Sequence, residues 1–301
     1  MNIQFGIDLG GTKTEVLALD SEGQNILRRR VNTPKNDYQA TLKCIKQLIV
    51  DAEQELSIEG TVGICTPGSI SPSSGLLRNS NSTCLNNQPF KQDLEKLLNR
   101  EIRISNDANC FALSEATDGA AINAEIVFGV IIGTGCGAGI IINKQIINGP
   151  NSIAGEWGHN PLPWPDTEEV DPPKCWCGKS GCIETYISGT GFCNDFFRLS
   201  SFSKSSEEIV LSANAGDELS QVALMRYERR LAKSLAHVIN ILDPDTIVLG
   251  GGMSNIKSLY KNVPNLWNEY VFSDNVLTQL VAPIHGDSSG VRGAARLWNP
   301  E

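Results

Sequence analysis

The strongest constraint on how this chain folds is a short pattern that occurs twice. Residues 3–8 and 14–19 are apolar segments around a Gly/Thr turn, and residues 126–132 and 138–142 repeat this arrangement around a second Gly/Thr turn. Apolar segments joined by glycine-rich turns predict β-hairpins. Helix-like and strand-like segments alternate after the first hairpin, which predicts an α/β sheet. We interpret the repeat as a duplicated domain, although two unrelated hairpins would also satisfy so short a match.

Length and composition indicate two domains. The chain has 301 residues, 41% of them hydrophobic and 20% charged, and a domain of a folded soluble protein typically has about 150 residues. The sequence predicts a smaller N-terminal α/β domain at residues 1–118, joined by a C-terminal helix at 288–301, and a larger α/β domain at 119–287. Because no long linker is visible, we expect the two domains to face each other across a cleft.

Charge and hydropathy exclude several classes of partner. With 25 Lys+Arg against 34 Asp+Glu, the formal charge is −9, which argues against nucleic acid held through its phosphate backbone. The uncharged stretch at 126–142 contains five glycines, so we expect strands there rather than a membrane helix. The N-terminus has no basic segment followed by an apolar core, so we expect a cytoplasmic protein.

The two Gly/Thr turns are candidates for phosphate binding. In the first, main chain at two glycines could approach phosphate oxygens, and Asp8 at the end of the strand could reach Mg²⁺. Neither the P-loop nor the dinucleotide-binding spacing is present, and a plain hairpin turn is the alternative. Together with a third glycine run after a later strand, the turns predict a nucleotide site formed by Gly10, Gly11, Thr12, Lys13, Gly133, Thr134, Gly135, Gly137, Gly251 and Gly252.

Asp107 is the candidate catalytic residue. It follows a predicted strand and opens a predicted helix, which places it at the carboxyl edge of the sheet, where open α/β sheets bind ligands. A carboxylate there could accept a proton from a sugar hydroxyl group that attacks a phosphoryl group, while Asn106 holds the same sugar. The alternative is that Asp107 is an ordinary N-cap of the helix.

Three of the nine cysteines lie close together in sequence, with a spacing typical of metal ligands. Cys175-x-Cys177-x4-Cys182 offers three thiolates, and His159 is the best fourth ligand for a structural Zn²⁺ ion. Three thiols without a metal remain the alternative. Glu156 and Glu184 flank this cluster and could meet sugar hydroxyl groups, unless they are simply solvated glutamates.

These motifs resemble those of the ROK family (repressors, open reading frames, kinases), whose enzymes are ATP-dependent hexokinases. The resemblance covers essentially the whole chain, and its most specific carrier is the segment from Cys175 to Glu184. It implies an actin-like (ribonuclease H-like) duplicated two-domain kinase with a zinc-stabilised loop, ATP and Mg²⁺ as cofactors, and Asp107 as the base. It also implies zinc ligation by His159, Cys175, Cys177 and Cys182, and sugar contacts from Gly68, Asn81, Asn106, Glu156, His159 and Glu184.

Finer motifs are most similar to those of the proteobacterial fructokinase (mannokinase) branch, so we expect fructose to be the substrate, with mannose or glucose as lesser ones. An N-acetylglucosamine kinase or a glucokinase of the same family is the alternative, because these enzymes share nearly all the catalytic motifs. A sugar-responsive repressor and a non-catalytic sugar-binding module are less favoured. A repressor needs a helix-turn-helix ahead of the first phosphate turn, which already begins at Gly6. The resemblance also implies a homodimer.

Overall fold

Two five-stranded sheets organise the chain, and the computed structural model describes residues 3–298. The strands are β1 (Gln4–Leu9), β2 (Lys13–Leu19), β3 (Asn25–Asn32), β4 (Thr61–Thr66), β5 (Ser69–Ile70), β6 (Leu77–Arg78), β7 (Ile102–Asn106), β8 (Ile126–Ile132), β9 (Cys136–Ile142), β10 (Gln145–Ile146), β11 (Thr246–Gly250) and β12 (Gln279–Val281). The helices are α1 (Tyr38–Leu56), α2 (Phe90–Leu98), α3 (Asp107–Asp118), α4 (Glu184–Ile187), α5 (Gly189–Ser200), α6 (Ser206–Asn214), α7 (Glu218–Leu242), α8 (Leu259–Trp267) and α9 (Ser289–Arg296).

The two sheets have the same design. The first has the strand order β3-β2-β1-β4-β7, with an antiparallel β1-β2-β3 meander followed by β4 and β7 parallel to β1. The second has the order β10-β9-β8-β11-β12, with β9 and β10 antiparallel and β11 parallel to both β8 and β12. The two sheets have equivalent strand orders, which agrees with the duplicated-domain interpretation of the two hairpins.

The chain separates into two compact units. Unit 1 contains the residues up to Ile122, Gly139–Ala154 and the residues from His285 onward, and unit 2 contains Asn123–Ala138 and Gly155–Ile284. The sequence-based division put residues 139–154 with the second domain, whereas they pack in unit 1. The reason is local, because the ammonium group of Lys144 donates to the backbone carbonyl groups of Ala116 and Ile122.

The core of unit 1 explains why α9 belongs to it. Gly6 in β1 and Gly63 in β4 have no side chain, and a Cβ atom at either position would collide with the backbone of α9, at the carbonyl oxygens of Val291 and Ala294 respectively. The helix therefore lies directly against the sheet, where Val291 is buried. Apolar residues at helical spacing along α1 predict an amphipathic helix, and its apolar face is buried at Leu42, Ile45, Leu48 and Ile49.

A buried charge network anchors the long helix α7 in unit 2. The guanidinium group of Arg230 donates to Glu169 at 2.7 Å and lies 2.9 Å from Asp195, and all three side chains are almost fully buried. On the next turn, the ammonium group of Lys233 donates to Asp166 at 2.7 Å. The proline-rich segment at 161–173 is therefore held to α7 by ion pairs rather than by apolar packing alone.

The predicted membrane-like stretch at 126–142 forms β8 and β9. Between residues 3 and 298, no helix is both long and apolar enough to cross a membrane.

Candidate active site

Two carboxylates lie at one edge of the first sheet. Asp8 is near the end of β1 and Asp107 directly follows β7, and these strands run parallel on either side of β4. Burial, and then the negative charge of Asp107, raise the pKa of Asp8 to about 6. Desolvation by the surrounding protein raises the pKa of Asp107 as well. Two oxygen-rich groups that repel each other suit a divalent cation, which takes carboxylate ligands and offsets their charge.

Asp107 is not the N-cap of α3. The side chain of Asn106 has that role, because its Oδ1 atom accepts a hydrogen bond from the backbone N–H of Asn109 at 2.8 Å. Asp107 is the first residue of the helix, and its carboxylate accepts from the backbone N–H of Ala108 at 2.9 Å. The capping alternative for Asp107 is therefore wrong. Since the Oδ1 atom of Asn106 is engaged, the amide nitrogen is the part of this side chain that suits a sugar hydroxyl group.

The first Gly/Thr turn is tight and braced from outside. The backbone N–H of Gly10 donates to the carbonyl of Lys13 at 3.0 Å, and Thr33 contacts the turn twice, through its hydroxyl group to Gly10 and its backbone N–H to Thr12. A pocket of about 400 Å³ in unit 1 is bordered by Gly11, Thr12 and Asn81. Residues predicted to bind phosphate and a residue predicted to contact sugar thus line the same pocket.

Gly68 is placed where only glycine fits. Its φ angle is +86°, and a Cβ atom would meet the backbone of the segment 78–80, including the nitrogen of Ser80 at 2.9 Å. This close approach positions the loop after β4 against the segment that leads to Asn81. Gly68, Asn81, Asn106 and Asp107 all belong to unit 1.

The second Gly/Thr turn lines a pocket of about 720 Å³ in unit 2. Of the predicted nucleotide residues, Gly133, Thr134 and Gly252 border this pocket, whereas Gly135, Gly137 and Gly251 are not among its lining residues. Residues that the sequence analysis did not identify complete the wall: Gly189, Thr190, Ser206, Glu207, Val210, Leu211, Met253, Asn255 and Ile256. An apolar wall beside a glycine turn suits a flat apolar ring joined to polar groups, as in a nucleotide.

The start of α5 is fixed to this turn. The backbone N–H of Gly189 donates to the carbonyl of Gly133 at 2.8 Å, and the hydroxyl group of Thr190 donates to the carbonyl of Thr134 at 3.0 Å. A helix N-terminus beside a glycine turn offers backbone N–H groups to an anion such as phosphate. Ser188, as the N-cap, was a possible sequence signal for this helix start.

Four predicted zinc ligands converge in unit 2. The ligand atoms of His159, Cys175, Cys177 and Cys182 all lie within 4.8 Å of one another. Cys175 Sγ lies 3.6 Å from His159 Nδ1, and Cys177 Sγ lies 3.6 Å from Cys182 Sγ. A tetrahedral zinc site with Zn–S bonds of about 2.3 Å has S···S edges of about 3.8 Å. The separations therefore fit a Zn²⁺ ion and are too long for disulfides, whose S–S bond is about 2.05 Å.

The other unit 2 side chains that were predicted to contact sugar differ in their surroundings. Glu184 accepts two hydrogen bonds, one from the backbone N–H of Cys136 at 2.8 Å and one from the indole N–H of Trp176 at 2.7 Å. Glu156 immediately precedes the short 3-10 turn Trp157–His159, and its side chain does not cap this turn. His159 ends the turn with Nδ1 directed at the thiol of Cys175, so only Nε2 suits a second partner such as sugar.

Comparison with known proteins identifies the family. Residues 4–301 match the ROK family. The chain is 38% identical over 297 residues to the N-acetyl-D-glucosamine kinase of Pectobacterium atrosepticum. This match covers 97% of this chain and 98% of that protein. The crystal structure of the ROK hexokinase from Thermus thermophilus superposes with a TM-score of 0.87 at 26% identity, covering 97% of this chain and 96% of that one.

A further structure is similar in fold. The ROK family glucokinase from Streptomyces griseus, solved with glucose and AMPPNP, has a TM-score of 0.75 at 24% identity over 98% of this chain and 99% of that one. The repeated sheet design, the glycine-lined pocket and the strand-end carboxylates thus define a sugar kinase with an actin-like α/β fold in two domains. The chain belongs to the ROK family.

Proposed function

We propose that this protein transfers the γ-phosphoryl group of ATP to the 6-hydroxyl group of N-acetylglucosamine. The observation that carries the proposal is the position of Asp107, at the carboxyl edge of the first sheet and beside Asp8, with a raised pKa. A general base works best when its pKa is near the working pH, so a raised carboxylate pKa suits proton transfer from a sugar hydroxyl group.

The relatives favour N-acetylglucosamine over fructose. The fructose prediction depends on short motifs outside the catalytic residues, whereas the similarity to the Pectobacterium atrosepticum enzyme extends over 297 residues at 38% identity. The N-acetylglucosamine alternative from the sequence therefore becomes the main proposal. Fructose remains the second candidate, supported by the finer motifs alone. The homodimer stays a prediction.

In the proposed reaction, Asp107 accepts the proton of the sugar hydroxyl group as that oxygen attacks the phosphoryl group. Asn106 orients the same hydroxyl group through its amide nitrogen. The Gly/Thr turns offer backbone N–H groups to the phosphates, and the apolar side chains of the unit 2 pocket hold the base of the nucleotide. When bound, Mg²⁺ would offset the charge of the phosphate oxygens, and Asp8 is the residue placed to hold it.

Zinc has a structural part in this proposal. His159, Cys175, Cys177 and Cys182 provide four protein ligands, which fill a tetrahedral shell and leave no open position for substrate. The ligand set would fix the loop that carries Trp176 and leads into Glu184.

The first experiment compares kcat/KM, from ADP release with ATP and Mg²⁺, for N-acetylglucosamine, fructose, mannose and glucose. We expect N-acetylglucosamine to give the highest value. A clear lead for fructose would return the assignment to the branch-level motifs. No turnover on any of the four sugars would contradict the N-acetylglucosamine assignment and extend the assay to other hexoses, and no turnover on those would favour the non-catalytic sugar-binding module.

The base is tested by Asp107→Asn. We expect kcat to fall by about 10²–10⁴-fold, the usual contribution of a general base, while sugar binding is retained. The matched control is Glu101→Gln, because Glu101 is exposed immediately before the opposite end of the same strand, β7. If Asp107→Asn retained a large part of the wild-type kcat, Asp107 would not be the base.

A further inference from the structure

Trp176 is an exposed aromatic residue with directional contacts. About three-quarters of it is open to solvent, at 76% exposure, so it contributes little to any core. It lies between Cys175 and Cys177, in the turn where the backbone N–H of Cys175 donates to the carbonyl of Lys179 at 2.8 Å. The position of its ring is therefore set by the same turn that presents two of the predicted zinc ligands.

The indole ring makes two contacts that differ in kind. Its N–H group donates to Glu184 Oε1 at 2.7 Å, and its ring meets the imidazole of His159 edge-on, with 4.9 Å between centroids. A hydrogen bond to an ionised carboxylate is stronger than one between neutral groups. An aromatic side chain that buries little surface but donates to a carboxylate is placed to orient that carboxylate.

The second oxygen of Glu184 is held from the other side. Oε2 accepts from the backbone N–H of Cys136 at 2.8 Å, inside the second Gly/Thr turn. A Cβ atom on Gly135 would lie 2.7 Å from this oxygen, closer than real Cβ contacts, so glycine permits the approach. One carboxylate thereby joins the glycine turn to residues 175–182, which carry three of the predicted zinc ligands and are called the metal loop. All of these residues lie in unit 2.

We propose that Trp176 is a positioning residue that fixes the carboxylate of Glu184 between the metal loop and the Gly133–Gly137 turn, and so sets the affinity for the sugar. The effect on sugar rests on the proposed function, together with the contact between Glu184 and the sugar that the family resemblance implies. A glutamate side chain has several rotatable bonds, and ordering it before the sugar binds removes that entropic cost from binding. Losing the indole N–H would leave the carboxylate held only at Oε2, by the backbone N–H of Cys136, and would not remove its charge.

The test uses Trp176→Phe, which keeps an aromatic ring beside His159 but removes the N–H donor. We expect the Kd and KM for N-acetylglucosamine to rise by about three- to tenfold, the range for one hydrogen bond, with the loss in KM rather than kcat. The control is Trp164→Phe, because Trp164 is half-exposed in the same unit and contacts Tyr270 and His237 instead. Zinc content and Tm are measured for both variants.

A double-mutant cycle separates positioning from general damage. If Trp176 acts through Glu184, adding Trp176→Phe to Glu184→Ala changes the sugar Kd by less than twofold. An equal loss in both backgrounds would overturn the proposal, as would a Trp176→Phe variant that binds sugar as tightly as Trp164→Phe does. In either case a wild-type enzyme that phosphorylates N-acetylglucosamine leaves the proposed function intact.

A measurement without substrate distinguishes failure of the positioning role of Trp176 from failure of the proposed function. The indole N–H resonance of Trp176 is assigned in ¹⁵N–¹H spectra by its absence from Trp176→Phe, and we expect it to shift in Glu184→Gln because a neutral amide is a weaker acceptor. An unchanged resonance would overturn the positioning role. If the wild type binds no sugar, the proposed function fails, and the same shift still decides whether Trp176 holds Glu184.

Discussion

Replacing Arg230 by methionine tests whether the buried charge network stabilises unit 2. The side chains of Arg230, Glu169 and Asp195 are 3%, 4% and 2% exposed, and the guanidinium group lies within 2.9 Å of both carboxylates. Methionine retains much of the apolar stem but removes the charge, which leaves two buried carboxylates without their shared partner.

The size of the effect follows from what remains. Removing one member of a buried ion pair costs about 3–5 kcal/mol of the free energy of unfolding. The lower end applies here, because Lys233 stays 3.4 Å from Glu169 and Arg226 stays 3.3 Å from Asp195. We therefore expect a loss of about 3 kcal/mol, which corresponds to a fall in Tm of roughly 6–12 °C for a unit of this size.

Tryptophan fluorescence during thermal and urea unfolding measures the loss of stability of unit 2. Four of the five tryptophans belong to unit 2, namely Trp157, Trp164, Trp176 and Trp267. The control is Arg229→Met on the same helix, because Arg229 is 51% exposed and its ion pair with Asp166 is 3.7 Å long. It should cost less than about 1 kcal/mol. A similarly small loss for Arg230→Met would refute the reasoning.

Three further outcomes follow from other parts of the chain. Because the pKa of Asp8 is raised from 3.8 to about 6, the affinity for Mg²⁺ in a metal titration should fall as pH drops through 6. For the same reason, metal-free wild type should lose stability relative to Asp8→Asn as pH rises from about 4 to 6. An affinity and a stability that do not change with pH would contradict this. Gly63→Ala should lower the free energy of unfolding by about 1–3 kcal/mol in urea titrations, since its Cβ would collide with α9, and an unchanged midpoint would refute the close packing. Elemental analysis should find about one Zn per chain in wild type and less in Cys182→Ser, whereas a folded, active wild type without zinc would exclude the metal.

Local patterns were enough to predict most of the elements. The sequence predicts a helix at 218–242, and these are the bounds of α7, because 25 periodic residues lie between Asp217 and the helix-stopping pair Asp243-Pro244. The strand predicted at 126–132 is β8. The capping of α3 was ambiguous, since Asn106 and Asp107 are both good caps, and only the backbone geometry assigns the role to Asn106.

Contacts between distant segments could not be predicted in the same way. Val210 and Leu211 on α6 line the pocket with Gly133, about 75 residues earlier, and nothing in their sequence marks them as ligand-facing. Arg230 and Glu169 are charged residues, a type that is rarely fully buried, and they become buried as a pair only because their two segments meet. Trp176 gave no signal apart from its place between two cysteines.

The discontinuity of unit 1 has a consequence for how the protein is made. Its first sheet is complete in sequence by Asn106, yet the helix that packs on β1 and β4 is α9, at Ser289–Arg296. During synthesis from the N-terminus, the face of β1 and β4 that carries Gly6 and Gly63 lacks its covering helix while more than half of the chain is still being translated. Unit 1 therefore reaches its final packing only after the last helix has left the ribosome, so a late truncation would damage the first part made.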